Sequence, residues 1–383
     1  MTFPKDRVLL HGPNSIMDVG GVVDELGEQR VLLVRGRTAF IASGADRLLP
    51  GLEQVAQVRQ WNEFRANTDA RDLIEGLRIM ADFAPDLVLG VGGGSVMDMA
   101  KLLCAHQGIT EESELLDAIR AGESVESREP GLILAPTTSG SGSEATRFAV
   151  VYIGESKYSV AGPAMLPDVV VLDPELTRSA TPYQRATSGI DALAQAVESR
   201  WATGATKASR AFAEQAIPLI VDALPRFVAD GDAASAADMA RGAHLAGRAI
   251  DISRTTAAHA LSYGFTKTLG LPHGHAVALT LGSFIAAHGA PGVSLRETVN
   301  PAEHAAAMAA VCRGFGVDTP AAAAAAFSEL AERIGLPLSL TKAGVTGPAQ
   351  LADLTARVNI ERMGNNPVRF EHEELTAMLA ARL

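Results

Sequence analysis

The first 180 residues alternate between two textures, and that alternation narrows the possible folds more than any single motif. Short apolar runs at 30–34, 55–61, 86–91, 131–135 and 169–172 are separated by helical stretches such as 69–83 and 96–106. A run that is apolar at nearly every position suits a strand buried on both faces. Strands separated by helices predict a parallel, doubly wound sheet. From Thr181-Pro182 onward the β-branched runs thin out and Ala/Leu-rich helical periodicity takes over, as in the strong helix former 321–326. At 383 residues the chain is too long for one ordinary core. The expected fold class is an α/β domain with a parallel sheet over 1–180, followed by an all-α helical domain over 181–383.

Charge and cysteine usage remove several function classes. A formal net charge of −11 argues against a nucleic-acid binder. The two cysteines, Cys104 and Cys312, stand apart in apolar surroundings, with neither a disulfide framework nor zinc-knuckle spacing. Residues 1–7 lack the apolar core of a signal peptide, and the uncharged run near 276–287 falls short of the ~20 residues that span a bilayer. No membrane partner is expected, and a cytoplasmic location is the default.

Two glycine loops suggest a dinucleotide. The run ending at Val91 leads into Gly92-Gly93-Gly94-Ser95 and then a helix, so backbone N–H groups at a helix start can meet a pyrophosphate. Ser95 stands where it could cap that helix or donate to a phosphate oxygen. The next run leads into Thr137-Thr138-Ser139-Gly140-Ser141-Gly142-Ser143-Glu144-Ala145-Thr146. Such loops at neighbouring strand ends form the place where α/β sheets hold dinucleotides.

The helical half carries a candidate metal quartet. Asp191 and Gln195 are four residues apart on one helix face, His259 lies in a helical stretch, and His273 sits in a Pro/Gly-bounded turn. One carboxylate, one amide oxygen and two imidazoles can surround a divalent cation and leave a position open for Lewis-acid chemistry. Glu198, a further turn along the Asp191 face, is better placed to support a ligand than to be one.

GGGSVMDMAK, TTSGSGSEAT, LPDVVVLDPELT, GIDALAQAVES and HALSYGFTKTLGLPHGHA, in that order along the chain, resemble the iron-containing (group III) alcohol dehydrogenases. The resemblance implies a Rossmann-like N-terminal domain, NAD(P)-linked interconversion of alcohol and carbonyl, Fe(II) with Zn as the other candidate, and a homodimer. By position it implies that Gly93, Gly94 and Ser95 hold the pyrophosphate. Thr137, Thr138, Ser141 and Thr146 would line the ribose and nicotinamide end, Lys157 would contact the nicotinamide ribose, and Asp98 would brace the loop. The metal ligands map to Asp191, Gln195, His259 and His273. Two departures from the family pattern, Gln195 in place of a histidine and Tyr263 in place of a proton-moving histidine, together with TTAAHALSY and the tail at 358–367, are similar to the phosphonoacetaldehyde reductase branch.

An anionic aldehyde would need a cation near the metal. Arg254, just over one helical turn before His259, is the first choice, with Arg147, Lys267 and Arg362 behind it. Gly36 stands where NAD-preferring relatives place an aspartate, which favours NADP, with Arg35 or Arg37 available to its 2′-phosphate. The alternatives are another small aldehyde or a lyase of the dehydroquinate synthase kind, which shares this architecture but normally takes a glutamate and two histidines. A lapsed metal site is a third.

Overall fold

The computed structural model describes residues 8–383 apart from Glu28, Arg357 and Asn359, with the backbone alone at Ile360 and Glu361. The reading of residues 1–7, and part of the tail motif at 358–367, therefore lie outside the described residues. The chain divides into two compact units, Met1–Ala180 and Thr181–Leu383.

In the first unit the order is β1 (Val8–His11), α1 (Val19–Leu26), β2 (Arg30–Arg35), α2 (Ala39–Ala42), α3 (Leu49–Val55), β3 (Gln57–Trp61), α4 (Ala70–Phe83), β4 (Leu87–Gly92), α5 (Gly94–Ala105), α6 (Glu112–Ala121) and β5 (Gly131–Pro136). A hairpin, β6 (Phe148–Ile153) and β7 (Ser156–Ala161), and then β8 (Val169–Leu172) complete it. Six strands form one sheet in the order β1-β8-β5-β4-β2-β3, parallel at every pairing. Alternation along each strand feeds two cores. Val31, Leu33, Leu89 and Ile133 face one side, and Leu32, Val34, Val88 and Leu134 the other.

Sequence reading missed two features here. β1 is only four residues long and half exposed, so its apolar signal is weak. The β6–β7 hairpin turns at a polar Gly154-Glu155 tip and keeps one face wet, and a search for strands buried on both sides passes over it.

The second unit is helical: α7 (Pro182–Trp201), α8 (Lys207–Ala229), α9 (Ala233–Ser253), α10 (Ala257–Leu269), α11 (His273–His288), α12 (Pro301–Gly314), α13 (Pro320–Arg333), α14 (Pro348–Ala356), α15 (Ile360–Gly364) and α16 (His372–Ala380). A Thr181/Gln184 capping box and Pro182 at the first position start α7, which is buried almost throughout from Arg185 onward. One apolar core built around Ile190, Leu193, Leu224, Leu261, Phe265 and Phe284 holds the helices together. No helix among the described residues is long and apolar enough to cross a membrane.

Candidate metal centre and cofactor loops

β4 and β5 are neighbours in register, with Gly92 opposite Pro136, so both glycine loops leave the same end of the sheet. The loops touch: a Cβ on Gly94 would stand 2.9 Å from Ser141 Oγ, and one on Gly93 would stand 3.6 Å from the Thr138 side chain. Glycine at 94 is what lets the second loop close over the first. Helix α5 begins at Gly94, with Gly93 as its N-cap residue in an extended conformation. Ser95 is therefore not the cap. It lies inside the helix, and its Oγ accepts from the Asn67 N–H at 3.1 Å, which leaves its own O–H free to donate.

A half-buried carboxylate and a fully buried ammonium brace the second loop. Asp98 accepts from Ser143 Oγ at 2.6 Å and the Val150 N–H at 3.0 Å. Lys101, one turn on and fully buried, donates to Thr146 O, Thr146 Oγ1 and Phe148 O. Thr146 thus turns inward and shapes the loop from within. Lys101 is a loop-holding residue that the sequence left unassigned, although its spacing of three from Asp98 was visible. Thr137 Oγ1 and Ser139 Oγ are buried with no hydrogen-bond partner among the described residues, which leaves hydroxyls for a polar ligand. Lys157 is exposed on β7, opposite Tyr152. Gly36 follows β2 and donates its N–H to Val91 O, and a Cβ there would make only an ordinary 3.5 Å contact with Ala39.

In the second unit, three of the four expected ligands converge. Asp191, His259 and His273 each offer a donor atom, all within 4.8 Å of one another. The fourth, Gln195, is buried on the same face of α7, and its amide donates to Asp191 Oδ2 at 3.1 Å. That bond occupies Oδ2, while Oδ1 lies 3.4 Å from His259 Nε2 and 3.8 Å from His273 Nε2. His273 is not in a turn: it is the first residue of α11, after Pro272 as N-cap. A Cβ on Gly274 would collide with Thr187 O and stand 2.9 Å from Asp191 Cβ. The missing side chain at 274 brings α11 onto α7 and His273 to Asp191.

Glu198 fixes the third element. Fully buried, it accepts from Thr256 Oγ1 at 2.7 Å, from the Ala258 N–H at 2.8 Å, from the His259 N–H at 3.4 Å and from His259 Nδ1. With Nδ1 bound, the other nitrogen of His259 is Nε2, which is buried and has no well-formed hydrogen bond among the described residues. This is how a carboxylate selects the tautomer of a metal-ligating imidazole. Burial disfavours a charged His259, but the Glu198 charge and the Asp191 carboxylate outweigh it and lift the imidazole to about 10. Burial pushes Glu198 up, and the His259 charge with the hydrogen bonds from His259, Thr256 and Ala258 brings it below its ordinary value. Two imidazole nitrogens and a carboxylate oxygen brought together in this way are donors that a divalent cation takes, so the donor set fits one.

The His273 side chain is 39% exposed, against 5% for His259, so the centre opens to solvent on that side. The Tyr263 ring stacks beside His273, with centroids 6.1 Å apart and 11° between planes. Arg254 is not on the His259 helix. It is the C-cap of α9, in the link that leads into α10. Arg362 lies on α15, Lys267 is exposed near the end of α10, and Arg147 is exposed ahead of β6.

Residues 7–174 match the model of the iron-containing alcohol dehydrogenases, and residues 185–383 match the C-terminal model of the same family. The chain belongs to the iron-containing alcohol dehydrogenase family. It is therefore an oxidoreductase, and its sheet and helical unit are those of the iron-containing alcohol dehydrogenases. A phosphonoacetaldehyde reductase of Streptomyces viridochromogenes is 33% identical over 78% of this chain and 76% of its own length. A choline dehydrogenase of Bacillus subtilis is 31% identical over 83% and 77%. The solved sulfoacetaldehyde reductase of Bifidobacterium kashiwanohense, a complex with NAD+, superposes with a TM-score of 0.88 at 25% identity, over 100% of this chain and 99% of that one.

Proposed function

We propose that this iron-containing alcohol dehydrogenase reduces a small anionic aldehyde with NADPH, with phosphonoacetaldehyde as the leading substrate and 2-hydroxyethylphosphonate as its product. The observation that carries the reading is the convergence of Asp191, His259 and His273, with His259 Nδ1 held by Glu198. Two similar proteins act on two-carbon aldehydes that bear a phosphonate or a sulfonate, which supports an anionic substrate.

Asp191, Gln195, His259 and His273 would hold a divalent metal, Fe(II) in our reading, which supplies Lewis acidity to a carbonyl or alkoxide oxygen. Gly93, Gly94, Ser95, Thr137, Thr138 and Ser141 would hold the nicotinamide cofactor that supplies hydride, with Asp98, Lys101 and Thr146 keeping their loops in shape and Lys157 at the ribose. Tyr263 moves the proton. A phenol is a weak base, so in the reducing direction the Tyr263 Oη serves as a donor to the substrate oxygen. Arg254 pairs with the anionic group. At the ribose end Gly36 is a choice the backbone does not demand, since a side chain fits there. Gly36→Asp is expected to move the preference toward NADH. A homodimer completes the reading, and sedimentation checks it.

The test is NADPH consumption by protein loaded anaerobically with Fe(II), on phosphonoacetaldehyde, acetaldehyde and betaine aldehyde, the last because one relative is a choline dehydrogenase. Metal-dependent turnover well above that of acetaldehyde supports the reading. Preference for acetaldehyde or betaine aldehyde overturns the anionic substrate, and turnover of a cyclic phosphorylated substrate without net cofactor oxidation turns the assignment to a lyase.

A further inference from the structure

We propose that Asn365 is a positioning residue for anion selectivity: its amide clamps the two carbonyls that flank Arg254 and holds this arginine in a strained conformation from which it meets the substrate's anionic group. The proposal rests on the reading of Arg254 given above.

Arg254 has φ 62 and ψ 175, a region in which glycine alone is at ease. Glycine would close the link between α9 and α10 without strain, yet an arginine stands there, and its Nη1 is shielded from solvent. A side chain kept at a conformational cost points to a task for that side chain.

The strain is held in place from a distance. Asn365 lies more than a hundred residues along the chain, and its Nδ2 donates to Ser253 O at 2.8 Å and to Thr255 O at 3.0 Å, one on each side of Arg254. Its Oδ1 accepts from the Gly204 N–H and from Thr203 Oγ1, both at 2.9 Å. The amide orientation is thereby settled, since an oxygen cannot face two carbonyls. On the other side of the link, Ser253 Oγ bonds Ser199 Oγ at 2.8 Å, and Thr256 Oγ1 donates to Glu198. Glu198 also orients His259. Arg254 and the first turn of the helix that carries His259 are therefore joined by one short link, pinned by α7 on one flank and by Asn365 on the other.

The decisive variant is Asn365→Asp, which keeps the acceptor for Gly204 and Thr203 but turns an oxygen toward Ser253 O and Thr255 O. In the Fe(II)-loaded enzyme it is expected to raise KM for phosphonoacetaldehyde roughly tenfold while shifting KM and kcat for propionaldehyde less than about twofold. Arg254→Gly should abolish the anionic preference and raise the melting temperature, because glycine relieves the positive φ. In the Arg254→Gly background, Asn365→Asp should add nothing to the anionic KM and lower the melting temperature less than it does alone, a coupling readable without substrate. Equal losses on both aldehydes, or additive effects in the double variant, overturn the proposal. Should the single Asn365→Asp protein fail to fold, the double variant compared with Arg254→Gly decides in its place, since a further anionic loss there also overturns the proposal. A wild-type enzyme without anionic preference overturns the reading of Arg254 and this proposal together. Wild-type preference that Arg254→Gly removes and Asn365→Asp leaves intact overturns the role of Asn365 alone.

Discussion

The helical unit contains two pairs of buried or half-buried histidines with nearly the same spacing and opposite chemistry. The rings of His259 and His273 are 5.4 Å apart, and those of His288 and His304 are 5.3 Å apart. The first pair meets carboxylates, Glu198 and Asp191. The second meets an amide and a backbone carbonyl: His288 Nε2 lies 3.2 Å from Asn366 Oδ1, and His304 Nε2 lies 3.2 Å from His288 O. Aromatic rings close over it, with Trp201 4.2 Å from His288. Burial, reinforced by His304, drives His288 down to about 3, and burial lowers His304 as well, whereas His259 rises to about 10. Ring proximity does not make a metal centre; the charge of the second neighbour does.

The strongest attack on this contrast is a pair of alanine variants. His259→Ala should lose stoichiometric metal and lower kcat/KM by about a thousandfold or more, as the loss of a major electrostatic element does. His288→Ala should keep its metal, judged by elemental analysis, and lose about 3 kcal/mol in denaturant unfolding, as a buried ring does. Loss of metal from both variants would end the distinction. Next in size is Glu198→Gln, which keeps an acceptor but not the charge and should weaken metal affinity roughly 10- to 100-fold in a competition titration. Asn366→Leu should leave that affinity unchanged.

A pH series on metal-free and loaded protein separates the pairs further. His259 is raised, so its imidazolium stabilises the metal-free fold fully below pH 6.5, and that contribution fades as pH climbs through about 10. His288 is lowered, so its neutral ring stabilises the fold above pH 6.5, and that contribution drains away as pH falls toward about 3. The melting temperature of the metal-free protein should sag on both sides, and metal should remove only the alkaline sag, because it replaces the His259 proton. The smallest effect sharpens the comparison from within: Asn366→Asp puts a carboxylate beside His288 and should raise its titration by ~2 pH units in an NMR measurement.

Much of this is legible in the residues alone. The buried strands announce themselves because parallel sheets need apolar residues on both faces, and the Asp191–Gln195–Glu198 spacing already puts three polar groups on one helix face. What stays hidden depends on contacts distant in sequence. Pro272 and Gly274 read as a turn, when Pro272 caps a helix and Gly274 admits the Thr187 backbone. Arg254 reads as part of a helix, and only the backbone angles show it outside one. Asn365 carries no local signal for its hold on residues 253 and 255.

Helix α10 takes no side-chain cap from its own N-cap residue, Thr256. Glu198, reaching across from α7, receives the N–H groups of Ala258 and His259 in its place. Successive residues on an α-helix point roughly 100° apart. If α10 began one residue early or late, His259 would swing out of phase with Asp191, and the centre would come apart with every ligand still present in the sequence. Glu198 therefore acts as a phase lock. Anyone transplanting this centre into another helical scaffold would have to carry the carboxylate and the helix start it dictates, besides the four donors.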